Sequence, residues 1–276
     1  MSGSRTEPRD PALISRIEEI QRESTSVAGR HIDLPGTTNT RDVGGYPVTG
    51  GGQTRWRTLL RSDSLHKAYG GPDGALAGLG LRTVVDLRTA AETEFAPSPM
   101  DALAATGART RHISILGEDF DAIPRDLAGV YEWVITRRGA MLGAAVSALA
   151  APGALPALVH CTAGKDRTGL VIALTLAAIG VPDDYVAADY SMTEIYMDPL
   201  RTPVIAQLEL IAGLEEEIPA GILEAPAELM LRVLDLVRDR AGSIADYLRG
   251  HGVTDDELTR LRAALVKPGA APAGQA

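Results

Sequence analysis

Residues 157–169 constrain what this chain can fold into more than any other stretch. Their order, ALVHCTAGKDRTG, predicts a short apolar strand, a tight loop with the only cysteine, and the first turn of an apolar helix. A helix N-terminus attracts anions, because its first backbone N–H groups lack partners and its dipole favours negative charge. The same field stabilises the thiolate form of Cys161, and Arg167, separated from it by five residues, adds a fork of N–H donors. A phosphate binder and a nucleophile in one loop indicate phosphoryl transfer through cysteine.

The residues around Cys161 argue against two alternatives, a chance Cys-x5-Arg pattern and a buried core cysteine. Gly164 lets the loop curl its N–H groups inward, and Thr168 follows the arginine. A nucleotide-binding P-loop is excluded, because no Ser or Thr follows Gly164-Lys165 and no glycine stands five residues before Gly164.

Composition is that of an ordinary globular protein with an acidic balance. Hydrophobic residues make up 45% of the chain, charged residues 23%, and the net charge is −9. This charge argues against nonspecific binding of nucleic acid, so the positive potential for an anion must come from Arg and Lys near the loop. A single cysteine excludes an internal disulfide and a four-cysteine zinc site, and it suits a reducing compartment. We expect no metal or organic cofactor.

The apolar runs predict no transmembrane segment. The polar N-terminus lacks the apolar core of a signal peptide, and the longest apolar run, residues 170–181, is too short to span a bilayer. We therefore expect a cytoplasmic protein, with export without a cleaved signal as the alternative. Residues 1–10 and 267–276 are expected to be disordered tails around a single domain at 11–266.

The order of apolar segments predicts an α/β fold with a mostly parallel central sheet flanked by helices. Strands alternate with helical segments up to residue 180, and only helices follow. An amphipathic helix is expected after Asp10, with Ser15 and Glu18 spaced as a capping box, and Thr254 with Glu257 as the capping box of the last helix. The other expected segments are strands at 31–34, 53–60, 82–88, 110–115 and 156–161, a hairpin-like entry over 31–61, a short helix at 74–80 and a long one at 127–150.

Two stretches of the sequence resemble the cysteine-dependent protein tyrosine phosphatase superfamily. HCTAGKDRTG resembles its signature loop. NTRDVGGYPVTGGG, followed by RTLLRSDSL and VVDLR, is similar to the bacterial branch of tyrosine and dual-specificity phosphatases, the mycobacterial PtpB type. Ala-Gly-Lys and Asp-Arg-Thr within the loop also resemble lipid phosphatases. The resemblance runs from about residue 31 to the C-terminal GVTDDELTRL, and it implies a phosphatase of phosphotyrosine, phosphoserine and phosphothreonine, or phosphoinositides.

The chemistry of the loop agrees with what the resemblance implies for its residues. Cys161 is expected to form a phosphocysteine, and Arg167 to hold two phosphate oxygens. Thr168 is expected to donate to the cysteine sulfur, and His160 either orients the loop or fills the core. Backbone N–H groups are expected to stabilise the transferring group, contributed by Thr162, Ala163, Gly164, Lys165, Asp166 and Arg167.

Several aspartates are candidates for the general acid, because the sequence has no Trp-Pro-Asp tripeptide. Asp166 lies in the loop beside the arginine, and the resemblance implies this position. Asp86 ends a strand, and the C-terminal ends of parallel strands face the ligand crevice; its alternative role is a salt bridge to a loop arginine. Asp119 and Asp121 are outside candidates, and a good leaving group needs no acid at all.

Four further residues are expected near the loop. Lys165 meets a second phosphate or an anionic headgroup, or is solvated. Arg41 and Arg61 are expected to buttress the loop, and Asp42 either does the same or closes a turn. Residues 189–190 line the cleft or, as we favour, belong to the core.

The helices at about 199–240 have two interpretations. Pro203 and Pro226 open them, and one apolar face runs through Ile205, Leu208, Ile211 and Leu214. They pack on the core, or they cover the active site as a mobile lid, as the resemblance implies.

Two other functional classes remain open. A rhodanese-type sulfurtransferase also presents a cysteine between strand and helix, but the Arg-Thr-Gly ending of the loop disfavours it. A catalytically silent phosphoprotein-binding module is disfavoured because Cys161, Asp166 and Arg167 are all present. The prediction is a monomer acting on a phosphorylated protein or a phosphoinositide, with no nucleic-acid partner.

Overall fold

A five-stranded sheet forms the centre of the computed structural model, which describes residues 10–68, 74–117, 122–197 and 224–269. In spatial order its strands are β1 (Arg41–Asp42), β3 (Leu59–Ser62), β6 (Ala157–His160), β4 (Thr83–Asp86) and β5 (Arg109–His112). Among the described strands of this sheet, only the β1–β3 pair is antiparallel. Because β6 lies in the middle, Cys161 emerges between the C-terminal ends of β3 and β4. A separate two-stranded sheet pairs β2 (Gln53–Thr54) with β7 (Val266–Lys267).

Helices cover both faces of the central sheet. Successive strand residues point to opposite faces, so Leu59 and Val159 lie in one apolar cluster whereas Leu60 and Leu158 lie in the other. The helices are α1 (Pro11–Ser26), α2 (Ala90–Phe95), α3 (Met100–Ala105), α4 (Leu127–Arg137), α5 (Gly139–Ala150), α6 (Asp166–Ala178), α7 (Asp183–Met197), α8 (Ala227–Ala241), α9 (Ile244–Gly250) and α10 (Asp255–Leu265), with 3₁₀ turns at Leu65–Lys67 and Ala77–Leu79. The predicted α/β fold with a mostly parallel sheet is confirmed.

Several predicted boundaries are wrong for identifiable reasons. The strand expected at 31–34 is a single bridge from His31 to Arg41. The strand expected at 53–60 is interrupted, because Arg57 takes a left-handed backbone conformation with φ of 56°. The helix expected at 127–150 is divided at Arg138, whose φ and ψ of −117° and 17° are not helical. The first helix begins at Pro11 and is capped by Asp10, not by a capping box at Ser15.

The ends of the chain bear on the expected tails and lid. Lys267 pairs with Gln53 in the small sheet, so the tail expected from 267 begins with a strand residue. α8 packs on α7 and α4 and buries Met230, Leu234 and Val237, as a core helix does. The helix expected after Pro203, with Ile205, Leu208, Ile211 and Leu214, lies outside the described residues. Within the described ranges, no helix has the length and apolar character needed to cross a membrane.

Candidate active site

The loop between β6 and α6 is held from outside by its carbonyl groups. Three successive carbonyls accept hydrogen bonds from three different supports: Thr162 from the Ser64 N–H at 3.0 Å, Ala163 from Asn39 Nδ2 at 3.0 Å, and Gly164 from Arg61 Nη2 at 2.7 Å. With the carbonyls turned outward, the N–H groups on the other side of the chain face inward. Cys161 lies at the start of this ring with only 1% of its surface exposed.

Gly164 is the residue that the curl of the loop requires. Its φ is 67°, a backbone conformation that residues with side chains rarely adopt. A Cβ atom there would lie 2.5 Å from the Ser62 carbonyl oxygen and 2.6 Å from the Asp63 nitrogen. Both the conformation and the space therefore demand glycine.

Five backbone N–H groups of the loop make no hydrogen bond within the described part of the chain. They belong to Thr162, Ala163, Gly164, Asp166 and Arg167. Unpaired donors are costly unless water or a ligand meets them, and here they lie at the N-terminus of α6, where the helix dipole favours an anion. The arrangement suits a tetrahedral oxyanion such as phosphate.

Glu92 on α2 holds Arg167 at the edge of this ring. Arg167 Nη1 donates to Glu92 Oε2 at 2.6 Å and Nη2 donates to Oε1 at 2.7 Å. The Thr162 hydroxyl also donates to Oε1, and the Thr89 N–H donates to Oε2 at 2.9 Å. Glu92 is not among the residues predicted from the sequence, although Thr89 and Glu92 have the spacing of a capping box, which they form.

The ion pair changes the acid–base behaviour of both partners. Burial raises the pKa of Glu92, but the hydrogen bonds and charge of Arg167 outweigh it and lower the pKa to about 2. Burial lowers the pKa of Arg167, but the negative charges of Cys161 and Glu92 raise it above its ordinary value. Glu92 is thus a carboxylate, and Arg167 a guanidinium, across the whole physiological range.

Asp166 is the first residue of α6 and sits beside the arginine. Its Oδ1 lies 2.8 Å from the Tyr131 hydroxyl and 3.3 Å from Lys165 Nζ. The side chain is 34% exposed, so it has access to solvent. Lys165 is 2% exposed and donates to the Glu224 carbonyl at 3.0 Å, so the solvated alternative for this lysine is wrong.

Asp86 is engaged by a neighbouring arginine below the loop. Arg88 Nη2 donates to its Oδ2 at 2.6 Å and Nε donates to its Oδ1 at 2.9 Å, and Arg88 also reaches Ser64. Burial raises the pKa of Asp86, but Arg88 and His160 lower it to a net value below the ordinary one. This geometry matches the salt-bridge alternative, with Arg88 in place of an arginine of the loop. Asp119 and Asp121 lie outside the described residues.

His160 lies between Asp86 and the loop. Its Nε2 is 3.6 Å from Asp86 Oδ2 and its Nδ1 is 3.3 Å from the Cys161 carbonyl. Burial lowers the pKa of His160 to about 4, so the imidazole is neutral near pH 7. The Thr168 hydroxyl is fully buried and has no hydrogen-bond partner among the described residues.

A buried cluster around Asp189 of α7 supports the loop from behind. Arg61 Nη1 donates to Asp189 Oδ2 at 2.5 Å, and the Tyr46 hydroxyl donates to Oδ1 at 3.0 Å. Arg41 donates to the Asp189 carbonyl at 2.7 Å. Burial raises the pKa of Asp189, but Arg61 and Arg41 lower it below its ordinary value. Burial and the charge of Arg61 lower the pKa of Arg41 to about 10.

The structure therefore separates the predicted supports. Arg61 contacts the loop directly, and Arg41 acts one step behind it through Asp189. Asp42 closes a turn instead, because its carboxylate accepts from the Gly44 N–H at 2.8 Å and the Arg57 N–H at 2.6 Å. Among the described residues, no group of three or more His, Cys, Asp and Glu is placed to hold a metal ion.

Comparisons with known proteins agree with this geometry. The model of the tyrosine phosphatase family matches residues 32–267, from just before β1 to the end of β7. The chain is 28% identical over 277 residues to the triple specificity protein phosphatase PtpB of Mycobacterium tuberculosis, covering 85% of this chain and 98% of that protein. It is 30% identical over 241 residues to a protein of Cupriavidus necator, provisionally named as a tyrosine-protein phosphatase, covering 82% and 86%. It is 27% identical over 223 residues to a tyrosine-protein phosphatase of Nostoc commune, covering 76% and 75%.

Proposed function

The chain belongs to the tyrosine phosphatase family, and on that premise we propose that it hydrolyses phosphate monoesters through a phosphocysteine on Cys161. One observation carries the proposal. The single cysteine lies in a ring with five N–H groups that make no hydrogen bond to the described residues, and Arg167 lies at the edge of this ring. A nucleophile inside an anion site is what covalent phosphoryl transfer needs.

The reaction proceeds in two steps. In the first, the Cys161 thiolate attacks phosphorus, an S–P bond forms, the ester P–O bond breaks, and the leaving oxygen takes a proton from Asp166. In the second, water attacks phosphorus, the P–S bond breaks, and Asp166 takes the proton that the water loses. Inorganic phosphate leaves, and the thiolate is restored.

The ring stabilises the charge that passes through phosphorus. Arg167 uses the N–H groups that Glu92 leaves free, and the loop N–H groups complete the shell without reorganisation. Because Glu92 already fixes the guanidinium, little ordering is needed when substrate binds. Thr168, whose hydroxyl has no hydrogen-bond partner in the described part of the chain, donates to the Cys161 sulfur as that sulfur leaves in the second step.

Asp166 is the general acid that we assign in preference to Asp86. The Asp166 carboxyl is partly exposed and adjacent to Arg167, whereas Asp86 is 3% exposed and uses both oxygens on Arg88. A carboxylate that is locked by an arginine holds its proton too weakly to protonate a leaving group near neutral pH.

Arg61, Arg41 and His160 act on the loop and not on the substrate. Arg61 fixes the Gly164 carbonyl, Arg41 fixes Asp189, and His160 packs as a neutral ring beneath Cys161. Lys165 holds the end of the segment before α8 and adds positive charge next to the ring.

Phosphotyrosine is the substrate that we infer. The Cys161 side chain lies below the surface, and a phosphotyrosine carries its phosphate farther from the peptide backbone than phosphoserine does. The mycobacterial relative bears triple specificity in its name. For that reason phosphoserine, phosphothreonine and phosphoinositides belong in the same phosphate-release panel.

Side-by-side assays of p-nitrophenyl phosphate and thiosulfate test the function. We expect turnover of p-nitrophenyl phosphate and none of thiosulfate. Cys161→Ser is expected to abolish turnover while still binding a phosphate mimic. Transfer of sulfur from thiosulfate would instead identify a sulfurtransferase. Binding without turnover of either compound would identify a binding module.

A further inference from the structure

Among the residues that the structure describes, the carboxyl group of Asp166 is held at one oxygen. Oδ1 lies within reach of two donors, whereas Oδ2 has no hydrogen bond within the described ranges. The other carboxylates around the loop use both oxygens: Glu92 on Arg167, Asp86 on Arg88, and Asp189 on its arginines and Tyr46. A group that must give and take a proton needs one oxygen fixed and the other open, and this asymmetry is present at Asp166.

Two tyrosine hydroxyls form a chain that ends on the fixed oxygen. The Tyr131 hydroxyl lies 2.8 Å from Asp166 Oδ1 and 2.8 Å from the Tyr190 hydroxyl. Tyr131 has one phenolic proton, and Asp166 Oδ1 can accept it whether the carboxyl group is ionised or carries its proton on Oδ2. With that proton donated to Asp166, the Tyr131 oxygen can only accept from the Tyr190 hydroxyl.

Packing fixes the positions of the two tyrosine rings. Both rings are 1% exposed, and they meet edge to face with centroids 6.1 Å apart at 79°. Tyr190 reaches its place because Gly169 of α6 has no side chain, since a Cβ there would lie 2.9 Å from Tyr190 Cδ2. Tyr190 also follows Asp189, the residue that holds Arg61, so one turn of α7 supports both the loop and the acid.

The geometry points to Tyr131, backed by Tyr190, as the residue that positions Asp166 with Oδ2 directed at the leaving oxygen. This inference rests on the proposed function, in which Asp166 is the general acid. Oδ2 gives its proton as the ester bond breaks, and it receives one from water as the P–S bond breaks. Tyr131 keeps its proton throughout: burial and the nearby Asp166 charge raise its pKa well above the ordinary value.

Tyr131→Phe tests the inference, because it removes one hydroxyl and keeps the ring. With a series of substituted phenyl phosphates, kcat/KM is expected to fall about tenfold for phenyl phosphate and less than about twofold for p-nitrophenyl phosphate, whose leaving group needs little protonation. Inhibition by inorganic phosphate is expected to stay unchanged. Tyr247→Phe is the matched control, because Tyr247 is also buried and donates its hydroxyl to the Ile135 carbonyl at 2.7 Å, away from the loop.

Two further variants distinguish a failure of this inference from a failure of the proposed function. They are Asp166→Asn and the double variant that combines Asp166→Asn with Tyr131→Phe. If Tyr131 acts through Asp166, Tyr131→Phe adds no further leaving-group dependence in the Asp166→Asn background. If Asp166→Asn shows the leaving-group dependence and Tyr131→Phe does not, the positioning role of Tyr131 is overturned and the general-acid role of Asp166 stands. If Asp166→Asn shows no leaving-group dependence, the positioning role of Tyr131 and the general-acid role of Asp166 are both overturned. Equal losses on all substrates in Tyr131→Phe and Tyr247→Phe also overturn the inference. Tyr190→Phe, with a smaller loss in the same direction, serves if Tyr131→Phe does not fold.

Discussion

Glu92 accepts a hydrogen bond from each terminal nitrogen of Arg167, at 2.6 and 2.7 Å. Glu92 lies on α2, 75 residues before Arg167 in the chain. The same carboxylate accepts from Thr162 in the loop and from Thr89 at the start of its own helix. It therefore ties the helix after β4 to the loop that follows β6. Arg167, which we propose to bind phosphate, is held in place by this carboxylate.

Glu92→Gln should weaken catalysis more than it weakens folding. Glutamine keeps the size of the side chain but loses the charge and one of the two acceptor oxygens for Arg167. We expect kcat/KM for p-nitrophenyl phosphate to fall about 10- to 100-fold, because a loosened guanidinium no longer matches the transferring phosphoryl group. Glu94→Gln, on the exposed side of the same helix, is the matched control and should leave kcat/KM within about twofold. Equal values for both variants would contradict the role of Glu92.

The same pair predicts how stability depends on pH. The pKa of Glu92 is lowered to about 2 in the folded protein, against an ordinary value of 4.5. A depressed carboxyl pKa contributes stability above the unfolded value, and this contribution is lost as pH falls from about 4.5 towards about 2. The difference in unfolding free energy between the wild type and Glu92→Gln should therefore shrink over that range in urea titrations. Both proteins also lose stability at low pH because the buried, neutral His160 becomes protonated, and taking the difference between their unfolding free energies cancels this shared loss. A constant difference would argue against the charged pair.

Asp189→Asn should destabilise the protein by about 3–5 kcal/mol, because it leaves Arg61 and Arg41 buried without their counter-ion. Asp183→Asn on the same helix removes a half-exposed partner of Arg238 and should change stability by at most about 1 kcal/mol. Urea unfolding of both variants checks the contrast. Similar small effects would mean that the Asp189 cluster does not hold the loop.

Gly164→Ala should abolish most phosphatase activity through geometry alone. Gly153 also has a positive φ, 70°, but an added Cβ there meets no atom within 4 Å. Gly153→Ala therefore carries the backbone strain of about 1 kcal/mol without a clash. We expect activity to survive in Gly153→Ala and to fall at least about 100-fold in Gly164→Ala. Comparable activity in the two variants would show that the loop tolerates a Cβ.

Local patterns made the loop predictable, whereas its supports depend on contacts between distant parts of the chain. Cys161, Gly164 and Arg167 lie within one short stretch, so their chemistry could be inferred together. Arg61 and Asp189 are 128 residues apart, and no local pattern joins them. The Tyr131 contact with Asp166 spans 35 residues and depends on how α4 packs beside α6.

The fold follows the same division between local and distant causes. Buried apolar strands and alternating helices predicted the parallel sheet, because those signals repeat over many residues. The breaks at Arg57 and Arg138 were missed for different reasons. Arg57 adopts a backbone conformation unusual for arginine, with Asp42 accepting from its N–H. At the second break Gly139 packs against His251, where a Cβ would lie 2.2 Å from Nε2.

Trapping the phosphoenzyme tests the central claim most directly. The full chain is mixed with p-nitrophenyl phosphate, quenched in acid within milliseconds, and digested for mass spectrometry of the peptide that contains Cys161. We predict one phosphate on that cysteine in the wild type and none in Cys161→Ser. Turnover of the wild type with no phosphate on Cys161 at any quench time, together with turnover by Cys161→Ser, would contradict the covalent mechanism.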